Sequence, residues 1–175
     1  GICIVEPEHG KLACGAVGKG RLAELDTILE KIIGQLCQKD DLTGKKIIVT
    51  AGPTREAIDP VRFISNRSSG KMGYAIASEA SKRGGEVTLI SGPTNLVSPP
   101  GLETLYCECA KDMRRLVFDK FPECKALIMT AAVGDFSPES YEKNKIKKDL
   151  NGGNVLKLKR NPDILGEIAT QKDGQ

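Results

Sequence analysis

The chain has 175 residues, 39% hydrophobic and 28% charged, enough for one domain, or one domain and a fragment, at about 150 residues per domain. No run approaches the roughly 18 consecutive apolar residues of a membrane span, which excludes that class. The 26 basic and 23 acidic residues leave a net charge of +3, spread too evenly for a basic nucleic-acid face, and aromatics at 4% without Trp argue against base-stacking platforms, so small molecules are the expected partners.

Residues 1 to 22 are glycine-rich without apolar periodicity and read as loop, with room for a short strand at Ile2 to Val5. Leu22, Leu25, Ile28, Leu29, Ile32, Ile33 and Leu36 recur at spacings of three and four, which predicts an amphipathic packing helix. The polar stretch Gln38 to Lys45 reads as a linker, with a domain boundary near 41. Beyond it, buried-strand patterns at Lys46 to Thr50, Glu86 to Ile90, Glu103 to Cys107 and Ala126 to Thr130 alternate with helical patterns at Gly70 to Gly84 and Lys111 to Phe121. This order predicts an α/β fold, a doubly wound, mainly parallel sheet with helices on both faces. Ligands then belong at the carboxyl ends of the strands. Residues 139 to 154 read as a mobile polar loop, Val155 to Lys159 as an exposed strand, and Pro162 as the start of a helix capped by Asn161.

Cys3, Cys14, Cys37, Cys107, Cys109 and Cys124, with His9 as the one histidine, show no metal-ligand spacing, so no metal site is expected. Scattered cysteines and no visible secretory signal fit the cytoplasm. The start at Gly1-Ile2-Cys3, without Met, suggests a piece of something longer.

The first strand runs into Thr50-Ala51-Gly52-Pro53-Thr54-Arg55-Glu56 and the second into Ile90-Ser91-Gly92-Pro93-Thr94. Small residues there let backbone N–H groups approach a ligand, although an ordinary strand exit would look the same. More specific is Ser65-Asn66-Arg67-Ser68-Ser69-Gly70-Lys71, which gathers hydroxyls, an amide, a guanidinium and helix-start N–H groups at one anion-sized place. A Ser-capped helix would account for Ser68 or Ser69 and leave Asn66 and Arg67 unexplained. The segment is not a Walker A loop, since Ser65 and Met72 stand where that motif needs Gly and Ser or Thr, and no G-x-G-x-x-G follows the first strand. Thr130-Ala131-Ala132-Val133-Gly134-Asp135 offers small residues for a flat ring and a carboxylate at a strand end. Lys143, Lys145, Lys147 and Lys148 read either as a solvated charge run or as a lysine lid over a polyphosphate.

Taken in order, TAGPTRE, DPVRFISNRSSGKMG, LISGPTNL, TAAVGDF, KIKK and RNPDIL resemble the phosphopantothenoylcysteine synthetase domain of the bacterial bifunctional coenzyme A biosynthesis flavoproteins, over roughly residues 44 to 170. Val5-Glu6-Pro7 and the stretch from Leu12 to Arg21 resemble the end of the fused decarboxylase domain. The resemblance implies residues 1–40 as a decarboxylase tail with a linking helix, and residues 41–175 as a ligase domain that is C-terminally incomplete. It implies activation of 4′-phosphopantothenate by CTP to an acyl-cytidylate, then amide formation with L-cysteine, with Mg²⁺ accompanying the triphosphate, FMN serving only the decarboxylase, and a homodimer formed through the synthetase domain.

Residue by residue, the resemblance places Lys145 in activation and Asn66 in the second half-reaction, with Cys14 as a decarboxylase remnant. Thr130, Ala131, Ala132, Asp135, Lys145, Lys148, Asn161, Pro162, Asp163 and Ile164 would bind the nucleotide. The residue-level reading adds Gly52, Pro53, Thr54, Arg67, Ser68, Ser69, Gly70 and Lys71 for phosphate or substrate. Two rivals stand beside this: a non-catalytic nucleotide-binding fragment, and an NAD(P)-dependent reductase suggested by strand order alone.

Overall fold

The computed structural model describes residues 4–36, 40–147 and 155–170. The chain divides into two units, Gly1–Lys39 and Asp40–Gln175.

In the first unit, β1 (Glu8–Lys11) and β2 (Val17–Arg21) form an antiparallel hairpin, followed by α1 (Leu25–Leu36). The hairpin corrects the expectation of loop. Its strands, EHGK and VGKGR, carry glycine and charge where alternation would show, and the glycines have packing roles. A side chain at Gly10 would strike Arg21, and Leu12 lies beside Gly18 and Gly20. The expected strand at Ile2 to Val5 is not formed at Ile4 and Val5, and Ile2 lies outside the described residues. Nor does α1 bury the face that its periodicity predicts: Leu25, Leu29, Ile32 and Ile33 are all exposed.

The second unit is built on β3 (Lys46–Ala51), β6 (Glu86–Ser91), β7 (Glu103–Tyr106) and β8 (Ala126–Met129). They lie in the order β7-β6-β3-β8, and every neighbouring pair is parallel. The runs KIIVTA and EVTLIS are almost continuously buried because both sheet faces are covered. Alternation then sorts the side chains. Ile47, Val49, Ala51, Val87 and Leu89 pack with Tyr74, Ala77 and Ala80 of α2 (Lys71–Lys82). Ile48 and Ile90 face the other way, toward Met113 and Val117 of α3 (Ala110–Lys120) and Ile164 and Ile168 of α4 (Ile164–Ala169). Leu89 and Ile90 are wholly buried, and burial of such a side chain contributes about 1.5–3 kcal/mol. The doubly wound α/β expectation therefore holds.

One detail decides between alternatives, and two differ from expectation. Helix α2 is capped by Gly70 at φ 75° without a side-chain hydrogen bond, so the serines do not cap it; Ser68 Oγ accepts the Gly70 N–H at 3.3 Å instead. Helix α4 is capped by Asp163, whose carboxylate accepts the Gly166 N–H at 2.9 Å, because Asn161 is drawn away across the site. The late strand is β10 (Leu158–Arg160), shorter than expected because its antiparallel partner β9 (Phe136–Pro138) has only three residues.

Between β3 and α2 stands a hairpin that periodicity did not reveal, β4 (Arg55–Ala57) with β5 (Phe63–Ser65). After it the chain returns to its starting point. A Cβ placed on Gly70 would lie 3.3 Å from Gly52 N, so the start of α2 sits on the end of β3.

Candidate functional site

In the order β7-β6-β3-β8, successive connections run outward from β3 to β7, and the chain then crosses to β8 on the other side. The reversal leaves a crevice at the carboxyl ends of β3 and β8, the usual ligand position in such sheets. The loops chosen from the sequence meet there. A Cβ on Gly52 or Gly70 would strike Thr94, and one on Gly92 would overlap the Pro53 carbonyl, while Pro53 pairs with Ala132. Gly73, the third residue of α2, lies so close to Ala51, Thr130 and the Thr50 carbonyl that a methyl group would not fit. The amides of the first turn of α2 have no partners within their own helix and no side-chain cap, so the helix start presents them beside the strand ends.

The loop after β8 is laced to the loop after β3. Thr130 Oγ1 donates to the Thr50 carbonyl at 2.6 Å, and the Ala131 N–H donates to Thr50 Oγ1 at 3.2 Å. The Ala132 N–H donates to the Gly52 carbonyl at 2.8 Å, and the Gly134 N–H to Thr54 Oγ1 at 2.9 Å. Thr50 and Thr54 are wholly buried. They are consequently scaffold hydroxyls, with their hydrogen bonds committed to shaping the loop.

Two amide side chains bond to the same loop. Asn66 Nδ2 donates to the Val133 carbonyl at 3.0 Å and to that of Ala132 at 3.5 Å. Asn161 Nδ2 donates to the Gly134 carbonyl at 2.8 Å, and its backbone N–H to the Asp135 carbonyl at 2.8 Å. Between the two loops lies a cleft of about 590 Å³, bounded by Ala131, Ala132, Val133 and Asp135 on one side and by Asn161 and Pro162 on the other. Asp135 is exposed there, its carboxylate able to accept from a ligand. Asp163 and Ile164 also line it; one oxygen of the exposed Asp163 carboxylate caps α4, and the Ile164 side chain reaches the core. Arg67, Ser69 and Lys71 are exposed around the start of α2.

Other sequence-derived residues are placed elsewhere. Lys145 is exposed and does not line the cleft; the peptide group following it is anchored on the turn between β4 and β5. Lys148 and residues 149 to 154 of the expected mobile loop lie outside the described residues, whereas 139–147 is tied down by the Glu139, Glu142 and Ile146 N–H groups. Cys14 is exposed at the tip of the β1–β2 hairpin, in the other unit. Burial, helped by nearby acidic groups, pushes the Cys107 thiol up to about 12 and leaves it an unreactive core group.

Three roles within quoted motifs went unassigned from sequence. Buried Glu56 accepts the Ala110 N–H at 2.9 Å and so caps α3 from the inserted hairpin. Arg55 stacks over Phe63, 4.7 Å from its ring centroid, and pairs with Glu108 at 3.6 Å. Asp59 is buried and faces Arg62. A charged residue inside a short hairpin was the available signal, but the partners of Glu56 and one of those of Arg55 lie more than fifty positions away.

The DNA/pantothenate metabolism flavoprotein C-terminal domain family matches residues 42–175. The chain belongs to that family. Among curated relatives, the coenzyme A biosynthesis bifunctional protein CoaBC of Bacillus subtilis is 47% identical over the whole chain, which spans 44% of that relative. The protein of the same name from Escherichia coli is 41% identical over 99% of the chain and 43% of its own length. The chain thus spans less than half the length of these relatives. Among solved structures, the C-terminal domain of a CoaBC protein superposes with a TM-score of 0.68 at 44% identity, covering 78% of this chain and 64% of that one. The DNA/pantothenate metabolism flavoprotein from Streptococcus pneumoniae gives 0.63 at 28% identity, covering 73% and 65%. Membership gives the cleft its context: a strand-end crevice in a pantothenate-metabolism fold.

Proposed function

We propose that the strand-end cleft is the nucleotide site of a phosphopantothenate–cysteine ligase in coenzyme A biosynthesis, a cytoplasmic activity that uses CTP. The observation carrying this reading is the convergence of Ala131 to Asp135 and Asn161-Pro162 on one cleft, with Asn66 bonded to the loop that walls it, in a chain whose bacterial relatives are coenzyme A biosynthesis proteins.

In this reading the flat cytosine lies against the small-residue loop, whose backbone groups and Asp135 carboxylate read its edge. The phosphates face the helix start, where unpaired N–H groups and the macrodipole favour negative charge. A carboxylate oxygen of 4′-phosphopantothenate attacks the α-phosphorus of CTP, the bond to the β-phosphate oxygen breaks, and pyrophosphate leaves with the electron pair. The cysteine amine then attacks the acyl carbon. The bond from that carbon to the cytidylate oxygen breaks, CMP departs, and the amine loses a proton. Lys145 offsets charge that builds on the phosphates in the first step, and Asn66 orients the mixed anhydride for the second.

Mg²⁺ would arrive on the triphosphate, as is usual for that ion; among the described residues no three His, Cys, Asp or Glu side chains gather to hold a metal. Residues 1 to 40, with Cys14, are read as the tail of a decarboxylase part, where FMN would serve, and no ligation step uses them.

The test is pyrophosphate release by the full-length protein. Release from CTP that requires 4′-phosphopantothenate, with phosphopantothenoylcysteine appearing once L-cysteine is added, is the expected result. CTP binding without release would make the chain a non-catalytic nucleotide-binding module. Binding of NAD(P)H in place of CTP would point to a reductase.

A further inference from the structure

The turn between β4 and β5 contains a carboxylate with more partners than the turn needs. Asp59 Oδ1 accepts the N–H groups of Val61 at 2.9 Å and Arg62 at 2.8 Å. Those two bonds are local, and an asparagine or serine could make similar ones. The other oxygen has longer reach. Oδ2 accepts from Arg62 Nε at 2.9 Å, from Arg62 Nη2, and from the Ile146 N–H at 3.2 Å. Arg62 Nη2 in turn donates to the Ile146 carbonyl at 3.2 Å. One ion pair therefore grips both the N–H and the C=O of a single residue 84 to 87 positions away in sequence. The Glu142 N–H, donating to the Ile58 carbonyl at 3.0 Å, fixes the same segment a turn earlier.

The Asp59 side chain is wholly inaccessible to solvent, and an enclosed carboxylate is costly unless paired. The guanidinium of Arg62, followed by the backbone donors, holds it well below the usual carboxylate range, so it is charged at any physiological pH. The gripped residue, Ile146, is flanked by Lys145 and Lys147. The other end of β5 leads directly to Asn66, which is bonded to the cleft loop. Arg62 and Asn66 are four positions apart, about 13 Å of extended chain, so the hairpin bridges the lysine segment and the cleft.

We propose that Asp59 is a positioning residue for activation, holding the backbone beside Lys145 so that its ammonium is presented to the nucleotide phosphates. This rests on the reading of the cleft as a CTP site. The role is separate from the fold of the sheet, since none of the Asp59 partners belongs to β3, β6, β7 or β8.

The test is a double-substitution cycle in the full-length protein, read by pyrophosphate release at saturating CTP. Asp59→Asn preserves shape but turns an amide toward Arg62 or Ile146 N–H, and should lower the rate by about ten- to a hundredfold, the scale of a small misplacement of a catalytic group. In the Lys145→Gln background the same change should cost no more than about twofold, because its effect passes through Lys145. A full additional loss in that background would make Asp59 merely structural and overturn the proposal, as would a wild-type rate for Asp59→Asn. The Ile146 amide should also exchange with solvent faster in Asp59→Asn than in the wild type; unchanged exchange would count equally against it. Should Asp59→Asn fail to fold, Asp59→Glu keeps the charge and displaces it by one methylene: about tenfold slower release is expected, and a wild-type rate would refute the positioning role. Absence of CTP-dependent release from the wild type would defeat the functional reading itself, a different outcome from either.

Discussion

Lys145→Gln should lower pyrophosphate release from CTP by about a hundred- to a thousandfold, the usual loss when one preorganised group facing transition-state charge is removed. Glutamine keeps the length and a donor but not the charge, so the loss should fall mainly on the chemical step at saturating CTP and less on affinity. Lys145 is exposed, so its replacement leaves both buried clusters intact and the thermal unfolding midpoint should scarcely move. Single-turnover release of pyrophosphate measures the effect. A rate within about threefold of wild type would exclude Lys145 from activation.

Asn66→Asp should fail at a later stage. The Asn66 amide donates to the Val133 and Ala132 carbonyls, and a carboxylate in that place has no hydrogen to give and repels both oxygens. It also sets a negative charge beside the phosphate of the mixed anhydride. Pyrophosphate release should persist within about tenfold of wild type while amide formation falls by about a hundredfold or more, on the scale of a lost stabilising group. Parallel measurement of pyrophosphate and phosphopantothenoylcysteine separates the steps. Equal loss of both signals would show that Asn66 acts in the first step or only in folding.

Both assignments draw on features that differ in how openly the sequence displayed them. The sheet was legible because short, β-branched, mainly apolar runs such as KIIVT and EVTLI alternate with amphipathic helices, the order that a doubly covered parallel sheet requires. Loops after those strands could be named as ligand positions for the same reason. The β4–β5 hairpin was not legible. Its three-residue strands are too short for alternation, and their stability comes from Glu56 capping α3 and Asp59 holding Ile146, contacts 54 and 87 residues apart. The cap of α4 was misread for a related reason: Asn161 has capping chemistry, but its amide is bonded to the Gly134 carbonyl and Asp163 takes the capping place. In the first unit the amphipathic pattern of α1 located the helix, yet Leu25, Leu29, Ile32 and Ile33 remain exposed, since periodicity marks a face without naming what covers it.

Among the candidate residues, the small-residue run ending in Asp135 at a strand end and the Asn66 amide that a helix cap leaves unexplained could be singled out from residue chemistry, whereas Asn161 read as a helix cap and gained a site role only through the family resemblance. Asp59 could not be singled out, since a buried carboxylate declares itself only once its distant partners are in view.

The central claim is that this site activates a carboxylate by transferring a cytidylyl group to it. Isotope transfer tests that claim directly. With 4′-phosphopantothenate carrying ¹⁸O in both carboxylate oxygens, the full-length protein, CTP and L-cysteine, one labelled oxygen should appear in the phosphate of CMP and the other should remain in the amide carbonyl of the product. Label in inorganic phosphate, with CDP as the nucleotide product, would mean an acyl-phosphate route, and unlabelled CMP would mean that no acyl-cytidylate forms; either result would contradict the account.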